Sequence, residues 1–217
     1  MNVLVACEES QAVCIEARRL GHNAFSCDIQ ECSGGHPEWH IMGDVLPLLN
    51  GRCSFETMDG ARHEIAGRWD AIIAFPPCTH LCSSGQHWFY RGLKDPALKE
   101  QGAEFFMRMI NADCDRIAVE NPVGIMSTRY RKPDQIINPY QFGHPEQKKT
   151  CIWIKGFPLL IPTNNVYDYM MTLPREVRER IWRLGSGKSK ERSKTYTGIA
   201  IAMAEQWLGD ITQGEPT

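Results

Sequence analysis

A helix needs roughly 18 consecutive apolar residues to cross a bilayer, and this chain contains no such run. A hydrophobic membrane-spanning helix is thereby excluded. The opening MNVLVACEES has no basic stretch ahead of a long apolar one, so no secretory leader is expected. An excess of charge of one sign is also missing. Lys and Arg number 24 against 26 Asp and Glu, a net charge of -2, and no overall basic field announces a nucleic-acid partner. The nine cysteines are an odd number without framework spacing, and Cys7, Cys14, Cys53, Cys114 and Cys151 lie scattered in apolar segments. That argues against a disulfide scaffold and predicts reduced thiols in a cytoplasmic protein. Internal repeats are absent. What is present is a chain of 217 residues, 42% hydrophobic, which predicts one domain over 1–217 with a real core.

The stretch from Trp69 to Gly85, WDAIIAFPPCTHLCSSG, concentrates the chemistry. Asp70 to Phe75 is short, apolar and rich in β-formers, and reads as a buried strand. Pro76 and Pro77 end it, because neither donates to a sheet ladder. Cys78 then sits in a stiff loop at the carboxyl edge of a strand, where open α/β sheets bind ligands. Such a thiol suits a nucleophile. Free cysteines also fill cores, and placement alone leaves both readings open.

Val3-Leu4-Val5-Ala6 reads as a first strand, Ser10 to Leu20 as a helix stopped by Gly21, and Asn23 to Ser26 as a second strand ending in Cys27-Asp28. This is the layout of a nucleotide-binding half, in which Asp28 takes ribose hydroxyls; the plainer alternative is that Asp28 starts a turn. Gln30 to Asp44 reads as a loop closing on Gly43-Asp44-Val45, and Leu46 to Arg68 gives mixed signals. Pro96 to Asn111 has helical spacing with Asp95 as its cap. Arg116-Ile117-Ala118-Val119 is another strand, delivering Glu120-Asn121-Pro122 to the same edge. Thr150 to Ile154 reads as a further strand, Pro174 to Leu184 as a basic amphipathic helix, Gly185 to Lys194 as a flexible basic loop, and Ile199 to Leu208 as a last helix. Strands alternating with helices predict a doubly wound, mostly parallel α/β sheet.

A thiol (Cys78), a carboxyl (Glu120) and ammonium groups (Lys148, Lys149) without an activating histidine do not make a hydrolase. His80 lies in an extended loop and is expected to point elsewhere. A carboxyl that binds a ring nitrogen makes a base electrophilic enough for thiolate addition, which suggests conjugate addition to a pyrimidine.

Phe75-Pro76-Pro77-Cys78-Thr79-His80-Leu81-Cys82-Ser83-Ser84-Gly85 resembles the Pro-Pro-Cys loop of the cytosine carbon-5 DNA methyltransferases, with Cys82 in place of a serine. Glu120-Asn121-Pro122 is similar to that family's Glu-Asn-Val, and Gly143 to Thr150 to its Gly-x-Pro-Gln-x-Arg-x-Arg segment, with Lys148 for the first arginine. Gly43-Asp44-Val45 resembles its Gly-Asp-Ile turn. Thr197-Gly198-Ile199-Ala200 falls where its closing Gly-Asn-x-Val stands. The resemblance, closest to small prophage-type members, runs in order over nearly the whole chain. It implies a Rossmann-like methyltransferase fold, S-adenosylmethionine as cofactor and DNA as partner. Cys78 then adds to carbon 6 of a flipped cytosine, Glu120 engages N3, Asn121 braces the loops and Lys148 meets O2. It further implies cofactor contacts from Ala6, Cys7, Glu8, Glu9, Ser10, Asp28, Ile29, Asp44, Val45 and Pro76, and no metal. Lys148 or the cationic cofactor is expected to raise the thiolate fraction of Cys78.

The chain departs from that pattern in three places. The first turn, Ala6 to Gln11, lacks the family's glycines; Glu8 or Glu9 is a candidate for the cofactor's ammonium. Thr150 carries no charge where the family has an arginine. The target recognition domain is minimal, a basic insertion over 164–195, so specificity is low or depends on another chain or a homodimer. Three rivals stand beside the enzyme: a zinc site of Cys27, Cys32, His36 and His40; a catalytically idle methyltransferase-like binding protein; and an enzyme acting on pyrimidine nucleotides or single strands. Gly185-x-Gly187-Lys188-Ser189 lacks the spacing of a phosphate loop.

Overall fold

The computed structural model describes residues 1–184 and 186–209; Gly185 of the basic loop lies outside the described residues. The strands are β1 (Asn2–Ala6), β2 (Asn23–Asp28), β3 (His40–Met42), β4 (Cys53–Glu56), β5 (Arg62–Ile65), β6 (Ala71–Ala74), β7 (Ile117–Pro122), β8 (Gln135–Ile137) and β9 (Thr150–Lys155). Seven of them form one sheet in the order β3-β2-β1-β6-β7-β9-β8, and β4 pairs with β5 in a separate hairpin. Neighbours from β3 to β7 run parallel, and β9 runs antiparallel to both β7 and β8. This is an α/β, Rossmann-like sheet with a single reversed strand.

The helices are α1 (Ala12–Arg19), α2 (Gln86–Tyr90), α3 (Pro96–Ile110), α4 (Met126–Arg129), α5 (Tyr167–Thr172), α6 (Arg175–Arg178), α7 (Arg180–Arg183), α8 (Ser189–Ser193) and α9 (Thr197–Leu208). Successive strand residues point to opposite faces, and the core divides accordingly. Leu4, Ala6, Ile72, Ala74, Ile117 and Val119 pack on one face with Phe106, Met109 and Ile110 of α3. Val3, Val5, Ala71, Ile73 and Ala118 pack on the other with Val13 and Ala17 of α1 and Met203 and Trp207 of α9. Both faces are covered, as a parallel sheet requires. No described helix is long and apolar enough to cross a membrane.

Several elements differ from the sequence expectation. The 30–44 loop contains a 3-10 turn and β3, which adds to the sheet beside β2. The mixed 46–68 region is a 3-10 turn followed by the β4–β5 hairpin. Edge strand β8 was not expected. Pro174 to Leu184 forms two short turns, α6 and α7, because neither buries a residue that would hold a longer helix in place. In the basic stretch after Gly185, a 3-10 turn and α8 replace the expected loop. Asp95 caps α3, its Oδ1 accepting from the Ala97 N–H at 2.9 Å.

Candidate active site

β6 and β7 are adjacent parallel strands with Ala74 opposite Val119. Paired strands lie about 4.8 Å apart, so the segments leaving their carboxyl ends emerge side by side. One carries Pro76-Pro77-Cys78, the other Glu120-Asn121. The two are then stitched together. The buried Asn121 side chain donates from Nδ2 to the Pro76 carbonyl at 2.9 Å. The Ser83 N–H donates to the Val123 carbonyl at 3.0 Å, and the Ile125 N–H to the Leu81 carbonyl at 2.9 Å. Gly124 is placed so that a Cβ would lie 2.1 Å from the Leu81 carbonyl oxygen, a distance only glycine permits.

Cys78 is half-buried. Burial, and then the nearby Glu120 carboxyl and Cys82, push its thiol up to about 11, with Lys148 acting in the opposite direction. Lys148 thus acts in the expected direction, favouring the thiolate, but desolvation outweighs the ammonium. Burial likewise raises the Glu120 carboxyl above the ordinary carboxylate range, again opposed by Lys148. The carboxyl and the ammonium line one small cleft, and the Cys78 thiol lies close enough to feel the charge of both. Phe75, Glu120, Lys148, Thr150, Tyr196 and Met203 line the cleft's floor and wall. Lys148 also donates from Nζ to the Arg192 carbonyl at 2.9 Å, which ties the end of α8 to the cleft. The His80 ring stands edge-on to Phe89 of α2, 6.1 Å between centroids. A larger groove of about 530 Å³ between α3 and the Leu46–Asn50 turn contains none of these groups.

The first turn departs from an ordinary strand-to-helix connection. Cys7 and Gln11 adopt φ of 60° and 58°, the left-handed region that glycine occupies without cost. The conformation expected of glycines is thus kept by other residues, at a cost of order 1–3 kcal/mol each. Ala6 is fully buried and Ser10 half-buried. Glu8 is buried and accepts from the Val13 and Cys14 N–H groups at 2.7 and 3.2 Å, while burial pushes its carboxyl up to about 8. Glu9 is only 6% exposed, and neither carboxyl oxygen has a hydrogen-bond partner among the described residues. The Lys190 ammonium stands 3.3 Å from one of them.

Asp28 ends β2 with Oδ1 accepting from the Gln30 N–H at 2.9 Å, the turn-starting arrangement. Beside it Ile29 is 79% exposed. Asp44 accepts from the Leu46 N–H at 3.0 Å, and Val45 is buried. The proposed zinc set does not assemble. His40 is held between Ser26 Oγ and the Gln30 carbonyl, both at 2.9 Å, and the His36 ring meets Glu38 at 2.9 Å. Among the described residues no three metal-ligating side chains gather. Tyr196 and Met203 as cleft walls had no local signal in the sequence.

No protein-family model matches the chain, and no curated protein matches it. Two solved structures are similar to it. One is described as a DNA modification methyltransferase encoded within a prophage of E. coli, at 16% identity over 81% of this chain and 56% of that one, with a TM-score of 0.48. The other is the Dnmt2 methyltransferase of S. pombe, at 12% identity over 86% of this chain and 59% of that one, with a TM-score of 0.43. The chain spans less than two thirds of the length of either. The fold assignment stands on the strand order and directions, not on these alignments.

Proposed function

We propose that this protein is a DNA cytosine carbon-5 methyltransferase with S-adenosylmethionine as methyl donor. The observation that carries the reading is the stitching of the Cys78 loop to the end of β7, which holds a thiol and a carboxyl, both raised by burial, on neighbouring strand ends within reach of one ammonium's charge. A thiol and a raised carboxyl on neighbouring strand ends, near an ammonium, favour addition to a polarised ring over hydrolysis.

The residues of the first turn fit the cofactor. Glu9 is a buried carboxylate whose one ionic neighbour among the described residues is the Lys190 ammonium at 3.3 Å, and a ligand ammonium would take the place of that lysine. The left-handed Cys7 and Gln11 fold Ala6 to Ser10 into a cradle, with Glu8 anchoring the start of α1. Asp28, Ile29, Asp44 and Val45 supply a carboxylate, an exposed aliphatic face and a second acidic turn for a nucleoside, and Pro76 borders the cleft. When bound, S-adenosylmethionine supplies an electrophilic methyl group.

In the reaction, Glu120 donates its proton to N3 of the flipped cytosine. The Cys78 sulfur gives its proton to solvent water and forms a bond to carbon 6 while the ring electrons shift toward N3, leaving carbon 5 nucleophilic. Once carbon 5 is substituted, water takes the carbon-5 proton, the sulfur–carbon 6 bond breaks and N3 returns its proton to Glu120. Asn121 keeps the two segments in register, and Lys148 stabilises the thiolate and faces O2. Taking the base out of its stack costs a few kcal/mol, least in a single strand.

The test is transfer of labelled methyl to cytosine-containing DNA. Cys78→Ser is expected to abolish transfer and leave cofactor affinity near that of the unmodified protein; unaltered turnover overturns the proposal. Glu120→Gln, which cannot supply the proton, should lower the rate by about 10²–10⁴-fold.

A further inference from the structure

We infer that α2 and the turn after it form a base-stacking platform, so that the substrate entering the Cys78–Glu120 cleft is single-stranded DNA. This rests on the reading of the cleft as a pyrimidine site. Trp88 is 43% exposed, Tyr90 86% and Leu93 62%. Such exposure is costly for aromatic rings unless something covers them. The rings are followed by the cations Arg91, Lys94 and Lys99 in HWFYRGLKDPALK. The Lys99 ammonium lies 4.6 Å from the Phe89 centroid and 5.7 Å from that of Tyr90, and the Lys94 ammonium lies 5.6 Å from Phe89. Aromatic faces beside ammonium groups are what an unpaired strand requires: rings for its bases and charges for its phosphates.

The platform is also fixed to the cleft. The Gln86 side chain donates to the carbonyls of His80 and Cys82, both at 3.2 Å, and the His87 ring meets the Ser84 carbonyl at 3.0 Å. Trp88 and Tyr90 therefore move with the loop that carries Cys78. On the other side, Trp182 is 68% exposed, and its Nε1 donates to the Gln147 carbonyl at 3.0 Å, next to Lys148. The stretch around it, 175–194, holds eight Arg and Lys against three Glu. A strand entering the site finds exposed rings and cations beside the Cys78 loop and again beside Lys148. Bases inside a duplex present no faces to these rings.

The test is fluorescence anisotropy with one dye-labelled oligonucleotide, offered as a single strand and annealed to its complement. The single strand should bind more tightly. Trp88→Ala combined with Tyr90→Ala should weaken single-strand binding by about tenfold or more, with unchanged melting temperature because both side chains are exposed. Trp88→Phe with Tyr90→Phe should keep most of the affinity, since the stacking faces remain. Equal or tighter binding of the duplex, or undiminished single-strand binding by the alanine pair, overturns the inference. Binding needs no methyl transfer, so the two readings fail separately: absent transfer sinks the enzyme, whereas transfer with duplex preference sinks only the platform.

Discussion

At Cys78 the decisive quantity is desolvation. A thiol pushed up to about 11 is almost wholly protonated at neutral pH, and its thiolate fraction grows about tenfold per pH unit below that point. Alkylation of Cys78 by iodoacetamide, followed by peptide mass spectrometry, should therefore keep accelerating past about pH 9, where an ordinary thiol near 8.5 levels off. Glu8 gives a second residue-level prediction. Its carboxyl is raised from 4.5 to about 8, chiefly by burial. The folded state thus binds more protons than the unfolded one between those values. Its contribution to stability is complete below about 4.5 and is lost as pH rises through about 8. Melting temperature should fall over that window, and Glu8→Gln should flatten the fall.

The loops after β6 and β7 behave as one element. Their union depends on Gly124, where a Cβ would meet the Leu81 carbonyl oxygen at 2.1 Å. Gly124→Ala must push the Cys78 loop away from Glu120. Misplacement by about 1 Å costs roughly a hundredfold in rate, so methyl transfer should drop by that order while circular dichroism still shows a folded sheet. Removing the α3 cap is a contrasting change. Asp95→Ala should cost about 1 kcal/mol, seen as a melting temperature lower by about 2–4 °C, with the cleft intact. The elements legible in the sequence are those whose apolar period is strong: β1, β2, β6, β7, β9, α3 and α9 each bury a run of Ala, Val, Ile, Leu or Phe. Those that escaped reading, β3, β8 and the β4–β5 hairpin, are of three or four residues and mix polar with apolar side chains. Their pairing comes from neighbours distant in sequence.

Over the whole molecule, charge is segregated although its total is close to zero. Residues 175–194 carry eight Arg and Lys against three Glu, while the chain as a whole is at -2. Phosphate contacts by such a segment release counterions, so DNA affinity should fall log-linearly with salt, and neutralising the exposed Lys188 and Lys194 to Gln should reduce that slope by up to about 2.

The sequence by itself determined the sheet's central strands, the two chemical loops at their carboxyl ends and the residue types they present, because burial periodicity and proline stops are local properties. Only the tertiary structure decided how those groups behave. The high thiol of Cys78, the burial of Glu9 against Lys190, the glycine-like turn built without glycine and the tie between Lys148 and the end of α8 all arise from desolvation and contacts between segments far apart in the chain, which no local pattern encodes.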